Sequence, residues 1–211
     1  MNKLSIPMEN KFFLTNTCPL LQKWEQGLLN DRFLEELNKS DQLEIAVGFC
    51  SHKSLRALDT LIFRKKIKKV CVILGMYYFN GIPESLYELV LEINEKWRRE
   101  GIGEIRLVHS CKYHGKLYCF YRNNRIISAI IGSPNLSFLI KEQVGPAQHE
   151  IALLTNNRRT LKKFSKYFEY LKSKRISENV EILEKYKSHL EEDKRLNTEK
   201  KQFKIIYKKF L

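Results

Sequence analysis

The sequence predicts an α/β fold, a mixed β-sheet flanked by helices on both faces. Two observations carry this. Apolar runs of strand type at 43–50, 70–74, 104–108 and 150–155 alternate with amphipathic stretches of helical period, the pattern of a sheet buried between helical layers. Among them, 116–122 and 125–131 are β-rich runs separated by Asn123-Asn124, a pair suited to a two-residue turn with positive φ.

The elements follow in order. After an irregular opening to about residue 30, residues 31–40 read as a short amphipathic helix and 43–50 as a strand. Ser51 suits the N-cap of a helix running to Phe63. The strand 70–74 leads into a loop from Gly75 to Gly81 and a long helix over 83–100. Pro83 and Glu84 open that helix and Arg98-Arg99 close it, as helix-end preferences require. Strand 104–108, the hairpin and strand 150–155 come next. A helix then starts at Asn156-Asn157 and runs to about Lys174, with Leu161, Phe164, Phe168 and Leu171 on one face. From Ser173 a Lys/Glu-rich helix is expected, carrying Ile182, Tyr186 and Leu190 at spacings of four, and 203–207 reads as a further strand. The expected division is a principal domain over 1–174 and a basic helical linker or C-terminal extension over 175–211, which has too few apolar residues for its own core.

Composition narrows the classes. With 211 residues, 43% hydrophobic and 29% charged, one good-sized core is expected. No apolar run reaches the roughly 20 residues of a membrane span, and the polar N-terminus does not resemble a signal peptide. The five cysteines, at 18, 50, 71, 111 and 119, mostly lie in strand-like runs and form no Cys-x-x-Cys pair. They read as buried thiols of a reducing cytoplasm. The histidines at 52, 109, 114, 149 and 189 show no ligand spacing with them, so neither metal nor cofactor is expected. The net charge is +14, and residues 157–211 hold 17 Lys/Arg against 8 Asp/Glu. Such an excess favours a polyanionic partner, although basic surfaces also serve solubility.

The chemistry concentrates between residues 114 and 150. His114-Gly115-Lys116 places an imidazole and a cation on one face of a strand, with glycine leaving room between them. If residue 122 pairs with 125, the register carried up the strands sets Lys116 across from Ile131 and His114 across from Ser133. Opposed side chains then lie roughly 5 Å apart. Gly132-Ser133-Pro134-Asn135 supplies backbone N–H groups, a hydroxyl and an amide suited to anionic oxygens. Glu150 opens the next strand, where its carboxylate can hold one histidine nitrogen and leave the other to attack. Taken singly, each has a plainer reading: a strand histidine is usually packed, Ser133 and Asn135 are turn formers, and Glu150 pairs with a surface arginine. Lys116 between apolar neighbours is harder to explain that way, because an unpaired buried charge is costly.

This ordered set resembles the phospholipase D superfamily, which carries a His-x-Lys motif followed by a Gly-Ser-x-x-Asn-like segment and cleaves phosphodiesters through a phosphohistidine. Gly75-Met-Tyr-Tyr-Phe-Asn-Gly81, His-Gly-Lys-Leu-Tyr, Ile-Ile-Gly-Ser-Pro-Asn-Leu-Ser and a later Glu narrow the likeness to the nuclease domain of phospholipase-D-like type II restriction endonucleases, over roughly residues 30–170. The resemblance implies a phospholipase D-like nuclease fold, His114 as nucleophile, Lys116, Ser133 and Asn135 as phosphate ligands, and Glu150 as the group orienting the histidine. The superfamily's longer motif has an Asp five residues after the Lys, where this chain has Tyr121. That departure argues against lipid cleavage and for the nuclease branch.

One His-x-Lys is half of what the chemistry needs, because a second group must protonate the leaving oxygen. Related single-motif enzymes resemble two-fold dimers with one shared site, so a homodimer acting on double-stranded DNA without metal is expected. A nonspecific phospholipase D-like nuclease and a non-catalytic nucleic-acid-binding module are the competing readings. Since related enzymes look two-part and nothing after about 175 is large enough for a target-recognition domain, recognition is expected from another domain or a partner polypeptide.

Overall fold

The first described strand, β1 (Lys11–Thr15), pairs in parallel with the two-residue β2 (Gly27–Leu28), so the opening expected to be irregular contributes to the sheet. The computed structural model describes residues 11–15, 27–140 and 149–183. Helix α1 (Leu29–Asn38) turns Leu29, Phe33 and Leu37 inward, one residue per helical turn, onto strand β3 (Gln42–Val47) and its neighbours. Helix α2 (His52–Arg64) begins at Ser51, whose hydroxyl accepts from Ser54 N while Ser54 Oγ accepts from Ser51 N, a reciprocal cap. Strand β4 (Lys69–Leu74) follows, then a single helical turn α3 (Tyr77–Asn80) inside the expected loop, and helix α4 (Glu84–Arg99). Strand β5 (Gly103–Val108) completes the β3-α2-β4-α4-β5 run. Its three strands pair in parallel, as strands joined by helical crossovers can.

Strands β6 (Leu117–Arg122), β7 (Arg125–Gly132) and β8 (Ile151–Thr155) are antiparallel neighbours, so the sheet is mixed. Among the described residues it has nine strands in the order β2-β1-β8-β7-β6-β3-β4-β5-β9. Helices α1, α2 and α4 cover one face over Leu43, Ile45, Val72, Tyr118 and Phe120, and Trp97 and Phe33 are fully buried there. Helix α5 (Arg158–Lys172) covers the other through Leu161, Phe168 and Leu171, packed over Ala46, Ile73, Cys119 and Ala129. Strand residues alternate between these two layers, so helices on both faces follow from runs too apolar to face water on either side.

The hairpin turn forms as its sequence demands, with Asn123 at φ 52 and Asn124 at φ 59. The register beyond it differs from the expectation. Arg122 pairs with Arg125 and Tyr121 with Ile126, but Phe120 pairs with Ser128 and Leu117 with Ile131. Ile127 is the extra residue of a β-bulge. Ile126 packs against the α5-side core and Ile127 against the other, while Ser128 also lies opposite Phe120, where its hydroxyl donates to the Glu36 carboxylate. A regular strand cannot set two consecutive residues on one face, so the bulge is required. Lys116 therefore lies beside Gly132, whose N–H donates to the Lys116 carbonyl at 3.3 Å, not across from Ile131. The pairing of His114 with Ser133 is lost for the same reason.

The helix expected from Ser173 is also absent over the described residues. Helix α5 stops at Lys172, and strand β9 (Ser177–Asn179) pairs with β5, so the sheet continues past residue 174. The Arg106 guanidinium fixes this reversal by donating to the carbonyls of Lys172 at 2.8 Å and Ser177 at 2.6 Å. Ile182 is 60% exposed, while Tyr186, Leu190 and 203–207 lie outside the described residues. Cys50, Cys71 and Cys119 are buried free thiols, but Cys111 is exposed; Cys18 is not among the described residues. Among the described residues no helix is long and apolar enough to cross a membrane.

Candidate active site

Because β6 and β8 run against β3, β4 and β7, the carboxyl ends of the latter and the amino ends of the former meet at one end of the sheet. His114, Lys116, Ser133, Asn135 and Glu150 all fall at that end. The topology gathers them although the register argument did not.

His114 is exposed and Lys116, two residues on, is only 7% exposed. The Lys116 ammonium donates to the His114 carbonyl at 2.8 Å and lies 3.2 Å from each ring nitrogen. Equal distances mean that neither imidazole lone pair is engaged along its axis, since the two diverge. The contact sets a cation against the imidazole, within reach of both of its nitrogens. Burial pulls the Lys116 pKa down from its ordinary value, and attraction to Glu150 opposes that.

Ser133 meets β8 instead of His114. Its N–H donates to the Ile151 carbonyl at 3.0 Å, its hydroxyl accepts from Ile151 N at 3.1 Å, and the same hydroxyl donates to the Glu150 carboxylate. Glu150 is buried, at 9% exposure, bonded to Ser133 and near enough to Lys116 to attract its charge. Gly132 permits this approach, as a Cβ there would lie 2.3 Å from the Ile151 carbonyl oxygen.

Asn135 lies farther round the turn, half-buried, and its Oδ1 accepts from Phe49 N at 3.2 Å. That bond fixes the amide's orientation and leaves its NH2 as the end for an anion. The buried Tyr118 hydroxyl donates to the Pro134 carbonyl at 2.7 Å and holds the turn from below.

The sequence reading passed over the segment after β3. A Cβ on Gly48 would come within 3.0 Å of His114 Cδ2, and the Phe49 ring meets the His114 ring edge-on with centroids 6.1 Å apart. Tyr77 anchors the segment, its hydroxyl accepting from Cys50 N at 3.0 Å and donating to Cys50 O. A glycine ending a strand-like run was the available signal. Gly75 has the role expected of it in loop geometry, since a Cβ there would lie 2.1 Å from the Tyr113 carbonyl oxygen, whose residue leads into His114. Tyr121, the departure from the longer motif, donates to Glu44 at 2.6 Å under α5, where Lys172 also binds Glu44 at 2.8 Å. Among the described residues no group of three or more His, Cys, Asp or Glu side chains is placed to hold a metal.

The fold and this set of residues define a phospholipase D-type domain. The model of the NgoFVII restriction endonuclease N-terminal PLD domain matches residues 27–185, and the protein belongs to that family. Among solved structures, the phosphatidylserine synthase of Haemophilus influenzae Rd KW20 has the same fold, with a TM-score of 0.53 at 16% identity over 91% of this chain and 46% of that one. Nuc from Salmonella typhimurium, a phospholipase D family member, gives 0.49 at 13% identity over 76% of this chain and 92% of that one. NucT from Helicobacter pylori gives 0.47 at 15% over 77% and 94%. No curated protein matches the chain.

Proposed function

We propose that the protein is a metal-independent DNA endonuclease of restriction type, hydrolysing phosphodiesters of double-stranded DNA through a phosphohistidine at a site shared by two chains. The observation that carries this is the Lys116 ammonium 3.2 Å from both ring nitrogens of an exposed His114. One His114 nitrogen attacks phosphorus and the P–O3′ bond breaks. The partner chain's histidine protonates the leaving 3′ oxygen, then takes a proton from the water that cleaves the P–N bond, leaving a 5′ phosphate. Lys116 and the Asn135 NH2 hold the phosphoryl oxygens. Ser133, fixed by Glu150, adds a hydroxyl. Glu150 holds the Ser133 hydroxyl and attracts the Lys116 charge beside the histidine. The nuclease domain on this reading takes in β9 beyond the expected boundary at 174, and the basic segment that follows leads toward a recognition domain or partner polypeptide. Among the described residues the cysteines are free thiols, which suits a reducing cytoplasm.

Plasmid DNA incubated with the purified chain in EDTA is expected to give discrete fragments at the full rate, and light scattering to give the mass of a dimer. Loss of cutting in EDTA that magnesium restores would sink the metal-free mechanism, and an active monomer would sink the shared site. A smear identifies a nonspecific nuclease, and binding without cutting a binding module.

Asn135→Asp provides a narrower test. The carboxylate still accepts from Phe49 N, so the turn is kept, but it turns an anion toward the phosphate in place of a donor. A rate loss of roughly 100-fold or more is expected with an unchanged thermal midpoint. Retained activity would remove Asn135 from the phosphate-binding set.

A further inference from the structure

A groove of about 800 Å³ opens at the other end of the hairpin from His114, between the Asn123-Asn124 turn and the start of α5. The eight residues of β7 separate it from Ser133 by roughly 25 Å. It is lined by Arg125 from the hairpin and Arg158, Lys162 and Lys166 from α5, with Ile126, Ile127 and Leu161 as its apolar lining. All four cations are exposed. No carboxylate lines the groove, and among the described residues none of the four is ion-paired.

Helix energetics make the arrangement conspicuous. Arg158, Lys162 and Lys166 are spaced at i, i+4, i+8 on one face of α5. Like charges at that spacing destabilise a helix by a few tenths of a kcal/mol per pair. Other cations meet an acid three residues away, as Lys172 meets Glu169 and Lys39 meets Glu36, whereas this α5 row has cations at successive turns of one face. The three α5 cations span about 12 Å along the axis, which matches two or three successive phosphates of a nucleic-acid strand.

We propose that this groove is a second binding site of the chain, for the phosphodiester backbone of duplex DNA, separate from the site of cleavage. The Asn124 side-chain amide adds a neutral donor beside the cations. The choice of DNA as the polyanion rests on the function proposed above; the groove's affinity for phosphate does not.

The test measures binding of a fluorescein-labelled 30-base-pair duplex to the full chain carrying His114→Ala, so that no cutting intervenes, across a salt series. The triple variant Arg158→Ala/Lys162→Ala/Lys166→Ala is expected to bind about tenfold or more weakly and to lower the slope of log K against log salt by roughly 2 to 3. A charge-matched control, Lys53→Ala/Arg64→Ala/Lys68→Ala, is expected to keep the parent's slope. Removing like charges leaves the helix as stable or more so, and single Lys162→Ala, expected to lower the slope by about 1, provides the reading should the triple fail to fold. Equal losses in groove and control variants, or none in either, overturn the proposal, as does tighter binding to an RNA duplex of equal length. In the wild-type His114 background the groove variant is expected to hydrolyse bis(p-nitrophenyl) phosphate at the parent's rate. If the parent itself does not turn over that diester, the catalytic reading fails while the binding result still decides the groove.

Discussion

His114→Ala is expected to reduce DNA cleavage by roughly 10⁴-fold or more while leaving duplex binding within about twofold. The side chain is exposed at the end of the sheet, so its removal opens no core cavity and the fold carries no large cost. What disappears is the atom that bonds to phosphorus. Wild-type protein quenched in alkali during turnover should hold covalently attached DNA that acid releases, and the variant should hold none. The shared site adds a quantitative expectation. Equal amounts of wild type and variant, unfolded and refolded together, form random dimers of which about a quarter have two histidines. Activity per total dimer should then fall to about a quarter of the wild-type value. A fall to half would mean that each chain works alone, and a variant that cuts as well as wild type would refute catalysis at this residue.

Lys116→Gln is the second large effect, with an expected loss of roughly 10²- to 10³-fold concentrated in kcat. The residue is buried and its ammonium is bonded to the His114 carbonyl beside the imidazole, so in the proposed mechanism the charge meets phosphorus where the histidine attacks. Lys116→Arg is not expected to rescue it. A planar guanidinium needs a wider berth than a compact ammonium held 2.8 Å from a backbone oxygen, and it spreads its charge away from that point. An unchanged kcat with a raised KM would instead make Lys116 a ground-state DNA contact.

Much of this was legible in the chain because it depends on neighbours in sequence. The Asn123-Asn124 turn and the caps at Ser51 and Asn157 follow from local backbone preferences, and each is present; His114 and Lys116 precede β6 instead of lying in it, and their side chains meet there. The short helix at Tyr77–Asn80 was not legible, being a single turn without a side-chain cap. Nor was β9, a three-residue strand whose place depends on Arg106 reaching the carbonyls around it.

The sequence by itself thus determined that strands and helices would layer into an α/β sheet, and it singled out the residues that this sheet brings to one end. The tertiary structure decided how those residues meet. A turn propagates register only while the ladder is regular, and the need to set both Ile127 and Ser128 on one face broke the ladder and moved Lys116 beside Gly132. Ser133 consequently found Glu150, and Asn135 found the N–H of Phe49, 86 residues away. Those partners are chosen by how two cores pack against opposite faces of one sheet, a sum over distant side chains that no local window contains.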